Sequence, residues 1–497
     1  MPTTVPRLSP TAALLLALLA VAGLRLWRLA EVGAPDYDSV SNWQAVLSLA
    51  GGNLGKLFHH AAPGFVLLFV PVAWVTSDFQ VFQLLHALLG VGSIGLFGRF
   101  VGRAAQLGPG GTAAVVLLAG SSLLLTSAGR DFGENALALG LSARLLASYF
   151  ERLHTHQPGA LLRAAGWLAA GLCLSYKMLL LVPVLGVLEW WAADGLLKQR
   201  GTWWRALAIL ALPYVLLGAL GRYGGLPWLR WPAMYYRAVV PAEASLAGNQ
   251  SRVHVELFFY LRYLLRFEPA LLLGLLLSGW VWRSRAYWRR GQPLALGPYL
   301  LVWAGCLLLG LTLLGKAPRG LLFGYAPLAA LLVLSLRRLL PGRAAAGVVL
   351  LALGVNIYIL QQELYAPLPT RYPQVAAWLR SHHGQRIAST VGIGLTPFLG
   401  AGQSLRMVAD ERELPALRRA GYQYVLLDGY WRVAGVHHFD SLRHQPPVTA
   451  WPEPQLTTPL LFLEHAEYTG LDYNQTLAAQ QLAARDSLQL RLYRLGP

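Results

Sequence analysis

Charge and sulfur are scarce in this sequence. Only 13% of its 497 residues are Asp, Glu, Lys or Arg, roughly half the share of a soluble domain, so most of the chain cannot present a water-solvated surface. There are two cysteines, Cys173 and Cys306, and both sit inside apolar runs, which excludes a disulfide framework. No zinc-type Cys/His spacing, Walker loop or nucleophile elbow occurs. Acidic residues are the scarcer charge, 23 against 41 Lys and Arg. The basic excess does not point to nucleic acid, because 29 of the 41 basic groups and only 12 of the 23 acidic ones fall before residue 362, between apolar runs. That placement is what loops facing an anionic leaflet look like.

What the chain has instead is hydrophobicity, 55% of residues with a mean hydropathy of +0.46. Apolar runs at about 10–30, 79–98, 111–128, 133–150, 161–175, 178–192, 206–220, 269–283, 295–315, 320–336 and 344–361 predict about eleven transmembrane helices. The first resembles a secretory signal, but ten runs follow it, so it reads as a signal anchor. A twelfth run, Ala61 to Val75, is short and holds Pro63 and Pro71, and reads as interfacial or re-entrant. With the N-terminus inside, most loop arginines and lysines fall on the inner face and most acids on the outer one. Arg25 and Arg28, at the outer end of the first helix, are exceptions. The outer face then carries a loop at 31–78, turns at 129–132, 176–177 and 315–319, and a segment at 221–268 that interleaves arginines with Trp and Tyr as an interfacial belt does. No internal repeat is visible, which weakens an inverted-repeat transporter.

From about Gln362 the composition turns soluble. After a proline-rich linker, helical patterns at 374–381, 411–420 and 475–485 alternate with strand-like runs at 386–391, 405–409, 422–427 and 488–494. The expected fold is thus an α-helical polytopic membrane domain, 1–361, followed by a small extracytoplasmic α/β domain, 362–497.

Candidate chemistry collects in the outer loops. Asp36 and Asp38 follow the first span closely, where a carboxylate could take a proton from a hydroxyl. Lys56, His59 and His60 precede Pro63 at the membrane surface, where they could meet a lipid phosphate or simply head groups. Asp131 and Glu134 follow Arg130 at a helix start, where a spacing of three predicts both carboxylates on one helical face, a position that also suits a plain helix cap. Lys316 and Arg319 lie together in the turn Gly315-Lys316-Ala317-Pro318-Arg319, and Lys177 occupies a similar turn; both cation types are usual partners of phosphate oxygens.

In order and on a common face, these features resemble the GT-C glycosyltransferases that use polyprenyl-phosphate sugars, a group that includes protein O-mannosyltransferases and the lipid A aminoarabinose transferase. The resembling parts are the first helix, the acidic loop with Pro35-Asp36, the His or Lys before Pro63, Arg130-Asp131, Lys177 and Lys316-Ala317-Pro318-Arg319. Where the family pattern often reads Asp-Glu, Tyr37 follows Asp36 here and the next acid is Asp38, which leaves the base role open between the two. The resemblance implies inverting transfer of a sugar from a polyprenyl-phosphate donor to a hydroxyl of a lipid, glycan or protein acceptor. Asp36 or Asp38 would act as base, and Lys316, Arg319, Arg130 and Lys177 would hold the phosphate. Asp131, Glu134, Lys56, His59 and His60 would support acceptor or sugar. Mg2+ or Mn2+ on Asp36, Asp131 and Glu134 is compatible, although some members are thought to need no metal. The implied place is a bacterial inner membrane, active face toward the periplasm, in cell-envelope glycan biosynthesis. The rival readings are a transporter or lipid flippase, which would put ionisable groups near the midplane, and a non-catalytic scaffold for the C-terminal domain. Neither would turn over a lipid-linked sugar.

Overall fold

In a computed structural model, residues 9–31, 37–193, 199–239, 255–314, 316–367, 369–390, 392–428, 433, 439–485 and 489–495 are described. Each of the eleven apolar runs is helical. The membrane part comprises α1 (Pro10–Leu26), α2 (Tyr37–Ala50), α3 (Pro63–Ala73), α4 (Phe79–Ala104), α5 (Pro109–Gly120), α6 (Leu123–Ala128), α7 (Asn135–Thr155) and α8 (Pro158–Leu174). It continues with α9 (Leu181–Ala192), α10 (Arg200–Tyr223), α11 (Arg230–Val239), α12 (Phe259–Phe267), α13 (Pro269–Val281), α14 (Leu296–Leu311), α15 (Leu322–Leu339) and α16 (Gly342–Leu360). Among the described residues five helices are by themselves long and apolar enough to cross a bilayer, six if α12 and α13, bent by 119°, form one broken span. Other expected spans are shorter helices, broken ones or, for the 21-residue α7, a less apolar one. The 111–128 run, for example, divides at Ser121 and Ser122 into α5 and α6.

Burial sorts the helices. Every residue of α15 from 322 to 336 is buried, so this helix is the axis of the bundle, apolar on all sides. Helix α13 can lie directly against it because Gly274 has no side chain; a Cβ there would stand 2.5 Å from the Leu328 carbonyl oxygen. Helices α1, α10 and α16 instead expose leucines such as Leu15, Leu216 and Leu350, a greasy outer surface suited to lipid. The chain is an integral membrane protein.

The two ends of the bundle differ. At one, Arg337 donates to the Ala105 and Gln106 carbonyls, Arg338 lies over Trp282 and Tyr287, and Arg290 covers Trp190. At the other lie the acidic turns and the C-terminal sheet. Arg25 and Arg28, the exceptions to the loop charge pattern, have internal partners at this second end. Arg25 is buried and donates to the Leu125 carbonyl at 2.9 Å, and Arg28 pairs with Glu31 at 2.6 Å.

The 31–78 stretch, expected as a loop with one short apolar run, contains two packed helices. The run at 61–75 forms α3, with Phe65, Val66 and Phe69 buried. Helix α2 was not anticipated, and it packs on α3. Its buried face mixes Val40, Val46 and Leu49 with Ser39, Ser41 and Asn42, so no unbroken apolar stripe announces it.

The C-terminal region holds a five-stranded sheet of β1 (Arg386–Thr390), β2 (Ser404–Val408), β3 (Tyr424–Leu427), β4 (Thr449–Pro452) and β5 (Gln489–Arg494) in the order β2-β1-β3-β5-β4. The first three strands are parallel, and β5 runs antiparallel to β3 and β4. Helix α17 (Tyr372–Ser381) covers one face through Val375, Ala376 and Leu379. Strand β4, with its proline and no alternation, was not anticipated.

Candidate functional site

The charged groups meet where α7, α8 and α15 present their ends beside α2 and the C-terminal region. Helix α8 stops at Leu174, and Ser175 then caps a short 3-10 turn by accepting from the Lys177 N–H. This sets Lys177 against the start of α7, where its Nζ donates to Asn135 Oδ1 at 2.7 Å and lies 3.6 Å from Glu134 Oε1. Glu134 is the residue preceding α7, and its side chain caps nothing. Burial works to raise the Glu134 pKa, but Lys177, then a backbone hydrogen bond, His60 and Arg319 outweigh it and hold the carboxylate below its ordinary range.

Arg319 stands in the 3-10 turn at 318–321 that leads into α15. It forms an ion pair with Glu467 of the C-terminal region, where its side chain is 13% exposed and that of Glu467 34%. Burial raises the Glu467 pKa; Arg319, Lys177 and His465 together bring it below normal. Glu464, three residues earlier at the end of the preceding helix, goes the other way, pushed up by burial to about 7, and its Oε1 has no hydrogen-bond partner. The cluster thus contains Lys177, Arg319 and His60 as cations or potential cations, and Glu134, Glu464 and Glu467 as acids.

On the α2 side, His60 Nε2 lies 3.6 Å from Asp38 Oδ1, and His59 Nε2 meets Ser41 Oγ at 2.9 Å. Both histidines sit in a tight turn in which His60 takes a left-handed φ of 48°. Burial, followed by the charges of His60 and Lys56, lowers the His59 pKa to about 3, so the ring is neutral. An open groove of about 430 Å³ runs beside them, lined by Ser41, Trp43, Gln44, Lys56, His59 and Thr396. Asp36 lies outside the described residues.

The other expected site residues take different positions. Arg130 is buried and donates to the Arg25 carbonyl at 3.0 Å, to Trp27 at 2.7 Å and to Arg28 at 3.3 Å, with its guanidinium over the Tyr365 ring. It therefore closes the carbonyl end of α1. Lys316 does the same for α14: its Nζ donates to the Leu311 carbonyl at 3.0 Å, to Thr312 at 2.7 Å and to Leu314. Asp131 precedes Glu134 in a non-helical turn, so the two carboxylates do not share a helix face. Among the described residues no three His, Cys, Asp or Glu side chains gather as metal ligands.

Sequence reasoning missed Glu464 and Glu467. Their partner Arg319 is 148 residues away from Glu467, and nothing local marks a two-acid stretch in a soluble helix as part of a membrane site.

No known family's sequence profile matches the chain, and no curated protein sequence does. Solved structures do. The crystal structure of ArnT from Cupriavidus metallidurans in the apo state is similar at a TM-score of 0.54 and 12% identity, covering 86% of this chain and 95% of that one. The same protein bound to undecaprenyl phosphate matches at a TM-score of 0.49 and 16% identity over 74% of this chain and 66% of that one, just under two thirds of its length. The membrane bundle with its C-terminal α/β region therefore shares the fold of that apo ArnT structure.

Proposed function

We propose that the chain is an integral-membrane glycosyltransferase that moves a sugar from a polyprenyl-phosphate donor to an acceptor hydroxyl, with inversion, at the end of the bundle that carries the sheet. The observation that supports this reading is the convergence of Lys177, Arg319 and His60 around Glu134 at that end, where a lipid phosphate entering from the bilayer would meet them. Lys177 and Arg319 are the proposed phosphate ligands. Arg130 and Lys316, which hold the ends of α1 and α14, act by keeping the neighbouring turns in place.

In the proposed step the acceptor oxygen attacks the anomeric carbon as the bond from that carbon to the phosphate oxygen breaks. The electron pair leaves on the phosphate, where fixed cations stabilise the developing charge. The acceptor proton goes to a carboxylate, Asp36 being the proposed base and Asp38, 3.6 Å from His60, the second candidate. The groove along α2, with its Trp43 wall and its Ser41, Gln44 and Lys56 side chains, is the proposed acceptor path. Mg2+ or Mn2+, where bound, would be held by Asp131 and Glu134 with Asp36. The proposed setting is a bacterial inner membrane with the site and the 362–497 domain toward the periplasm.

The test is release of polyprenyl phosphate by the purified protein from a panel of polyprenyl-phosphate sugars. Turnover in wild type, lost by about two orders of magnitude or more in Asp36→Asn or Asp38→Asn, identifies the donor and the base. Unchanged turnover in both variants rejects the base assignment.

A further inference from the structure

Glu467 makes the ion pair with Arg319 from a part of the chain that the transfer chemistry does not require. We propose that Glu467 is a built-in carboxylate occupant of the donor-phosphate site, which a lipid phosphate must displace from Arg319 before the donor can seat. The inference rests on the reading of Arg319 as a phosphate ligand.

Three observations converge on it. A carboxylate presents two oxygens to a guanidinium much as a phosphate does, and Glu467 places Oε1 on Arg319 Nη2. The segment that carries it is docked, since the Pro459–Glu464 helix packs on the 318–321 turn and buries Leu460 and Leu463 in the membrane-domain core. The local charge balance also fits an exchange. Glu134 already faces Lys177, and Glu464, pushed toward its neutral form by burial, adds no full negative charge to the pairings. Glu134 and Glu467 match the two fixed cations one for one, so a positive charge is left unmet on Arg319 only when Glu467 withdraws. An incoming phosphate would restore the anion that Glu467 removes, so the C-terminal region moves only when the donor replaces it. Ordering of this kind keeps the cations from collecting other anions between turnovers.

Binding of undecaprenyl phosphate to the full-length protein in detergent micelles tests this. Glu467→Gln keeps the size of the side chain and removes the competing charge, and is expected to tighten binding about fivefold or more, while Arg319→Ala weakens it about tenfold. The double variant is expected to bind no more tightly than Arg319→Ala alone, because the competition exists only through Arg319. Glu467→Asp retains the charge on a shorter arm and should fall between wild type and Glu467→Gln. Weaker or unchanged binding in Glu467→Gln, with Arg319→Ala impaired, would overturn the displacement and leave the donor reading standing. Unchanged binding in Arg319→Ala would remove both. Wild type alone gives a second readout: hydrogen exchange across 459–470 should rise when the lipid binds, and a fall or no change speaks against displacement.

Discussion

Arg130 and Lys316 differ from Arg319 and Lys177 in what their donors touch, although all four occupy similar turns in the sequence. A buried cation that closes the carbonyl end of a helix satisfies acceptors that would otherwise be stranded, and each stranded acceptor costs about 1–3 kcal/mol. Lys316→Ala is accordingly expected to lower the thermal midpoint of the protein in detergent, while changing polyprenyl-phosphate affinity less than Lys177→Ala or Arg319→Ala does. Thermal unfolding and lipid binding on the three variants check this; a large affinity loss in Lys316→Ala with unchanged stability would return it to the phosphate site. His59 gives a pH signature. Its folded pKa, about 3, lies below the ordinary 6.5, so the unfolded chain takes up the proton first as pH falls. The stability tied to the neutral ring is present above pH 6.5 and is lost as pH drops from there toward 3. His59→Gln should flatten that part of the decline, measured as thermal midpoints between about pH 7 and about pH 4.5. Outer-face charge was legible from residue types and loop placement. What each cation touches was not, since carbonyl partners depend on how a turn folds back and leave no mark on composition.

Helices that end inside the bundle need caps from elsewhere in the chain, and α6 shows how. Its first N–H groups face Glu268, the residue at the bend between α12 and α13, whose Oε1 accepts from Ser122 Oγ at 2.7 Å and from the Leu124 N–H at 3.1 Å. The bend and the cap are one device: the break that turns the chain by 119° delivers a carboxylate to the broken 111–128 helix. Glu268→Ala leaves both donors unmet in a buried setting and is expected to cost about 1–3 kcal/mol. Glu268→Gln, which keeps an acceptor oxygen, should recover much of that, and chemical or thermal denaturation of the pair distinguishes a capping role from simple loss of volume. The run at 111–128 was readable as apolar helix from composition alone. Its division at Ser121 and Ser122 was not, because the cause lies in Glu268 of another helix. Helix α2 escaped for a different reason: a helix that buries serines and Asn42 has no amphipathic period to find, and Asn42 instead donates to the Phe132 carbonyl at 3.3 Å, tying α2 to the acidic turn.

At the scale of the whole molecule the apolar bundle and the α/β region were both legible, since hydropathy separates them and strand and helix periods alternate after residue 385. Their joint was not. It is built from side chains that look like ordinary soluble-domain core, Leu460, Leu463, Ala466 and Tyr473, which are buried in the same cluster as Phe259, Tyr260 and Leu321 of the membrane part. Tyr473 meets Phe259 edge to face at 5.7 Å, Thr458 donates to Glu363 at 2.8 Å, and the Tyr473 N–H donates to Glu256 at 3.3 Å. A joint of this kind couples the fold of the C-terminal region to the charged site, because Glu467 follows Leu463 by four residues, across the break at His465. Leu463→Ala opens a cavity in a fully buried position and is expected to cost about 2–5 kcal/mol. Below its lowered unfolding temperature, the same variant should hold Glu467 less firmly on Arg319 and so bind polyprenyl phosphate more tightly than wild type, despite being less stable. Unfolding midpoints and lipid affinities measured on one preparation decide the matter. Lower stability with unchanged affinity would mean that docking of the region and occupancy of Arg319 are independent, and that the charged site is set by the membrane helices alone.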